Sequence, residues 1–94
     1  MTDWIYAQSH PSDELARLHY FSVKRKQPAG DDVEFVITVK EYAERNPQMM
    51  RFFAQADKQT NQKTAPFTPC GWGETLLVAL SECVKAIQRF PYEG

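Results

Sequence analysis

Two cysteines and two histidines are the side chains of this 94-residue chain best suited to nucleophilic or acid–base chemistry. A thiol becomes a useful nucleophile when a base or a helix N-terminus favours its thiolate. Cys70 stands in Pro69-Cys70-Gly71-Trp72-Gly73, just ahead of a predicted helix, and Cys83 falls inside that helix. No motif ties His10 or His19 to either thiol, so Cys70 reads as part of the turn into the helix and Cys83 as a small core residue. His19 alternates with Phe21 and Val23 and reads as a strand histidine. The cysteines are thirteen positions apart, with no Cys-x-x-Cys or His-x-x-x-His, so no metal-ligand spacing is present. Gly71-Trp72-Gly73 opens a helix, but Leu76 stands where a dinucleotide fingerprint needs its third glycine, and no Gly-Lys-Ser/Thr follows. Trp72 is expected to act as a lid on the edge of the core. Asp31, Asp32, Glu41 and Glu44 lie in or beside turns and read as solvated. No catalytic residue, metal or cofactor is assigned.

The chemistry of contact is better represented. Period-two spacing places Tyr20, Lys24, Val36, Lys40, Tyr42, Arg51 and Phe53 on the outward parity of three strands, with Leu18 and Met49 among them and Lys26 at the end of the first. This face is too apolar to be left in water, and a contiguous apolar patch marks an interface. Three occupants are open: the N-terminal Trp4-Ile5-Tyr6 folding back within segment 1–14, a second copy of the chain, or a different protein. Self-association as a homodimer of a small non-enzymatic interaction module is the leading expectation. The alternative is nucleic-acid binding. Lys24, Arg25 and Lys26, with Lys40, Arg51, Lys58 and Lys63, interleave with Tyr20, Tyr42 and Phe53 as a stacking and phosphate-neutralising surface would. Glu34 and Asp57 share that parity and oppose it.

Three strands and a helix must position these residues. Asp32–Tyr42 alternates Val33, Phe35, Ile37 and Val39 with Glu34, Val36, Thr38 and Lys40; Ala16–Lys26 and Met49–Asp57 alternate likewise. The links Gln27–Asp31 and Glu44–Gln48 carry the turn formers of hairpins. Glu74–Phe90 places Leu76, Leu77, Ala79, Leu80, Cys83, Val84, Ala86, Ile87 and Phe90 on one side of a helix, and Pro91 ends it. The expected fold is therefore α+β, a three-stranded antiparallel meander followed by one C-terminal helix packed on one face (β-β-β-α), as a single domain over 1–94. The expected core includes Phe21, Val23, Val33, Phe35, Ile37, Val39, Met50, Phe52, Ala54, Leu76, Leu77, Leu80, Cys83, Val84 and Ile87. Ser12–Leu18 reads either as a short capped helix or as the lead-in to the first strand. Segment 58–73 is longer than compact domains usually leave without structure, so it carries either a function or a missed element; a continuation of the third strand through Thr60 and Gln62 would shorten it.

Composition supplies the exclusions. A hydrophobic fraction of 43% and an aromatic fraction of 13% exclude wholesale disorder. The formal charge of −1 provides no global field toward nucleic acid or anionic lipid. No apolar run approaches the ~18 residues of a membrane span. The N-terminus lacks a basic start and an apolar stretch, and two cysteines allow one disulfide at most, so a reducing, cytoplasmic location is expected.

The meander followed by a helix opened by Gly71-Trp72-Gly73-Glu74 resembles the double-stranded-RNA-binding domain in its order of elements. Glu74-Thr75-Leu76 stands here where that family has phosphate-touching lysines. Gly73–Leu80 resembles the helix start of HicB-type antitoxins, whose Pro-Gly motif between strands this chain lacks. Neither resemblance carries a site onto these residues.

Overall fold

The computed structural model describes residues 3–27, 30–44, 50–61, 63 and 65–92. Much of the two hairpin turns, Met49 and Gln62 lie outside the described residues. After a short 3-10 helix over Asp3–Ala7 come β1 (Ala16–Arg25), β2 (Val33–Tyr42), β3 (Phe52–Ala56), β4 (Cys70–Gly73) and α1 (Leu76–Arg89). The sheet is antiparallel throughout and its strands lie in chain order, β1-β2-β3-β4. The α+β architecture and the C-terminal helix agree with the sequence pattern, whereas the sheet has four strands rather than three.

β2 forms the floor of the core. Its β-branched and aromatic residues suit an extended backbone, and Phe35, Ile37 and Val39 are fully buried on the face that α1 covers. Ala54 and Ala56 of β3 and Ala79, Cys83 and Ile87 of α1 complete the cluster, with Phe21, Val23, Phe52, Leu76, Leu80 and Val84 half-buried around it. Burying a large apolar side chain of this kind stabilises by ~1.5–3 kcal/mol before conformational entropy is subtracted.

The fourth strand is the element missing from segment 58–73, and in sequence it looks like a turn. Cys70 and Trp72 point away from the helix, and Gly71 and Gly73 are buried beneath it. A Cβ on Gly71 would lie 2.6 Å from Glu82 Cβ and 2.8 Å from Ala79 O, and one on Gly73 would lie 2.5 Å from Ala79 N. The glycines are therefore required for close approach of helix and strand. The same approach explains a second departure. α1 turns its small residues Ala79, Cys83 and Ala86 to the sheet, which rolls Leu77, expected in the core, out to 70% exposure.

α1 starts at Thr75, whose Oγ1 accepts from Val78 N–H at 3.2 Å, so a side-chain cap does the work expected of the glycines. Its other end is closed from afar, where Arg25 Nη1 donates to the carbonyls of Ile87 (3.0 Å) and Phe90 (2.8 Å). These are carbonyls that a helix terminus leaves without partners, and a cation there also complements the helix dipole. The long 58–69 connection is tied by a Thr60–Phe67 bridge, with Thr60 fully buried and Asn61 in the left-handed region at φ 56°. Ser12–Leu18 follows the strand alternative: Ser12 sits in a turn with His10, and β1 begins at Ala16.

Candidate functional site: the outer face of the sheet

Register across the sheet brings the outward residues into rows. Leu18, Lys40, Phe53 and Trp72 are successive cross-strand neighbours, as are Tyr20, Thr38, Gln55 and Cys70. Further along β1 and β2, Ser22 lies beside Val36 and Lys24 beside Glu34. Of the predicted contact residues, Tyr20, Lys24, Val36, Lys40, Tyr42 and Phe53 thus share this face. Lys26 is exposed just beyond the end of β1. Arg51 is committed elsewhere: its Nη2 donates to the Ala43 carbonyl at 3.4 Å.

The centre of the face is aromatic. Trp72 stacks on Tyr42 with ring centroids 6.2 Å apart at 20°, and meets Phe53 at 4.7 Å and 41°. Offset contacts of this kind add about 0.5–1.5 kcal/mol beyond area burial. Trp72 is therefore not a lid on the core but the middle of the outer face. The signal available in the sequence was its parity, since Cys70 and Trp72 alternate with two glycines as strand residues do. On this face Tyr20 is 64% exposed, Leu18 47%, Trp72 41% and, further along, Val36 37%, so its apolar residues are open to solvent.

The far end of the face is polar and internally paired. Ser22 Oγ donates to the Glu34 carboxylate, and Lys58 Nζ donates to the Glu34 carbonyl (2.8 Å) and to Asp57 (3.1 Å). Asp57 Oδ1 in turn accepts from Val36 N–H at 3.0 Å. Lys40, opposite Leu18, and Lys24 are separated by six residue steps along the ladder, roughly 20 Å at strand rise, with the Glu34 and Asp57 carboxylates at the Lys24 end.

The N-terminal segment does not reach this face with its tryptophan. The Arg17 guanidinium lies 5.0 Å from the Trp4 ring centroid, and Arg17 projects to the helix side of β1, where its Nε lies 3.7 Å from Glu41. Tyr6 is 84% exposed. The fold-back expected of Trp4-Ile5-Tyr6 thus places its large ring on the opposite side of the sheet, drawn there by a cation–π contact.

The groups singled out for nucleophilic chemistry are kept apart. His19 Nε2 lies 2.9 Å from the buried Glu41 carboxylate on the helix side of β1, while Cys70 is on the outer side of β4, at the other edge of the sheet. Three interstrand spacings of ~4.8 Å and the thickness of the sheet separate them. Glu41 is therefore buried and paired, not a solvated turn carboxylate. His10 Nδ1 engages Ser12 Oγ at 2.7 Å within an exposed turn. Cys83 is wholly buried, with its Sγ donating to the Pro69 carbonyl at 3.5 Å. Desolvation, with a smaller push from the nearby Cys70, raises its pKa from 9.0 to about 11. Both cysteines are free thiols. Among the described residues no three His, Cys, Asp or Glu side chains converge as a metal site, and no helix is long and apolar enough to cross a membrane.

Comparison of the chain with models of known families, with curated proteins and with solved structures finds no match in any of the three.

Proposed function

We propose that this chain is a small interaction module that catalyses no reaction and pairs through its outer sheet face with the same face of a second copy. The observation that carries the reading is the Tyr42–Trp72–Phe53 stack, with exposed Leu18 and Tyr20 on the same face across Lys40 and Thr38. Aromatic anchors at the centre of a patch with a polar margin are the usual anatomy of a protein interface. Two-fold pairing brings identical patches together, as isologous dimers require. The scatter of Lys24 and Lys40, interrupted by Glu34 and Asp57, favours a protein partner over a phosphate backbone. Four strands at ~4.8 Å spacing give a face about 15–20 Å wide. Pairing two such faces buries an area near the ~1,200 Å² lower bound of specific interfaces, which suits a reversible dimer. The two free thiols suit a reducing compartment such as the cytoplasm.

Sedimentation equilibrium tests the reading. Phe53→Arg and Trp72→Arg are expected to keep the native circular dichroism spectrum while weakening self-association at least tenfold, since each places a cation in the aromatic centre. Unchanged association in both variants would overturn face pairing. Salt-dependent binding of a single-stranded oligonucleotide that is lost in Phe53→Arg would assign the face to nucleic acid instead.

A further inference from the structure

The strand order leaves β1 and β4 as the two edges of the sheet, and they are built very differently. β4 has four residues, whereas β1 has ten and pairs with β2 without a bulge from Ala16–Tyr42 to Arg25–Val33. In an antiparallel ladder the N–H and C=O of one residue point to the same side, and successive residues alternate. The Ala43 N–H donates to the Leu15 carbonyl at 2.9 Å, so the odd-numbered residues of β1 bond β2. The even-numbered Ala16, Leu18, Tyr20, Ser22 and Lys24 turn both backbone groups outward, and among the described residues no backbone group bonds them. Natural edges are protected by proline, by bulges, by being short or by charged side chains. β1 has only the last of these, with Arg17 near one end and Lys24 and Arg25 at the other, and leaves Leu18 to Val23 without a charged residue apart from His19.

We infer that β1 is a pairing edge and that its occupant is the β1 of a second copy, antiparallel and centred on Tyr20. Turned about that residue the strand meets itself favourably. Tyr20 lies opposite Tyr20, Leu18 opposite Ser22 and Ala16 opposite Lys24. All of these residues present outward backbone groups, so about ten hydrogen bonds form. Beyond each end of the strand the exposed Glu14 falls opposite the exposed Lys26, so the two-fold makes two oppositely charged pairs. No like charges oppose: Arg17 meets Val23, and Arg25 meets Leu15. α1 packs mainly over β2, β3 and β4. On the helix side of β1 Trp4 lies on Arg17 and Arg25 reaches the end of α1, and the half-buried Phe21 and Val23 between them gain further cover on pairing. The product is a continuous eight-stranded sheet with both outer faces on the same side, so edge pairing goes beyond face pairing and does not depend on it.

A zero-length carbodiimide cross-link tests the geometry. Within one chain Glu14 and Lys26 are separated by the ten-residue strand, roughly 30 Å at a rise of ~3.3 Å per residue, so a Glu14–Lys26 amide can only join two copies. The expected result is a covalent dimer whose joined peptides contain Glu14 and Lys26. Ser22→Pro, which removes an outward N–H, should abolish it, while Ser22→Ala should retain it. Phe53→Arg should leave it unchanged, which separates this edge from the outer face. Glu14→Lys or Lys26→Glu alone should weaken edge pairing about tenfold, and the double swap should restore it. The swap decides the matter even if the proline variant does not fold. Dimers that form without the Glu14–Lys26 amide, a strictly monomeric Phe53→Arg protein, or a swap that fails to restore pairing would each overturn the inference.

Discussion

The two edges of the sheet solve opposite problems. At β4 the helix lies so close to the strand that two of the four residues can carry no side chain. At β1, ten residues long, the helix lies further off, and Arg25 reaches across to the helix end. Packing at β4 is backbone against backbone and tolerates no added atom. At β1 Phe21 and Val23 pack half-buried on the core while Leu18, Tyr20, Ser22 and Lys24 face solvent, so added atoms on that side meet nothing.

The sharpest way to break that contrast is to add atoms at each edge. Gly73→Val would drive its Cβ toward Ala79 N and Val78, and backbone cannot rotate aside. A cost of about 3 kcal/mol or more is expected, a large share of a small domain's stability, seen as loss of a cooperative urea transition. Lys24→Val on the open edge should shift the same transition by no more than ~0.5 kcal/mol. Equal effects would mean that the two edges are not built differently.

The tie between the edges should matter less than the clamp. Arg25→Met keeps the aliphatic stem but removes both hydrogen bonds to the helix C-terminus. Loss of charge-assisted bonds to helix carbonyls should cost about 2 kcal/mol in urea unfolding and speed amide exchange in the last turn of α1. An unaltered exchange rate there would show that β1 does not hold the helix end.

The smallest expected effect distinguishes the two thiols beside the clamp. Exposed Cys70 should react with a thiol reagent in the native protein, and buried Cys83 should not. Because the folded Cys83 thiol titrates near pH 11 rather than 9.0, the unfolded chain loses its proton first. Stability should therefore fall as pH rises through that window, by about 1–2 kcal/mol, while below it this thiol has no effect. Cys83→Ala should flatten that part of the stability profile relative to the parent. A parent profile already flat from pH 9 to 11 would contradict the burial of this thiol.

The parts that the sequence made legible are those in which side chains carry the pattern. β2 alternates without exception, and Val33, Phe35, Ile37 and Val39 are buried as their period requires. α1 likewise follows from its amphipathic stripe. What escaped is what glycine and alanine decide. Cys70-Gly71-Trp72-Gly73 has the composition of a turn, and its strand character depends on a helix that comes after it in the chain. Leu77 departs from its expected place for the same reason, because large residues dominate a helical wheel whereas small ones dictate the closest approach. Of the outer face, its parity was readable, but the stacking of Trp72 on Tyr42 and Phe53 required the register of the unseen strand. The binding of Trp4 to Arg17 depends on tertiary proximity that no local pattern encodes.

Strands in chain order, with their covering helix last, also set a schedule for the growing polypeptide. During synthesis β1 and β2 emerge and can zip into a hairpin within microseconds, well before Leu76–Arg89 has been made. At typical elongation rates of about 5–20 residues per second the apolar row Phe35, Ile37 and Val39 stays uncovered for several seconds. The nascent chain thus carries an exposed apolar surface and an unpaired edge together, the combination that recruits chaperones or neighbouring chains on a polysome. The interval between the second strand and the helix therefore bears on aggregation during synthesis separately from the stability of the finished fold.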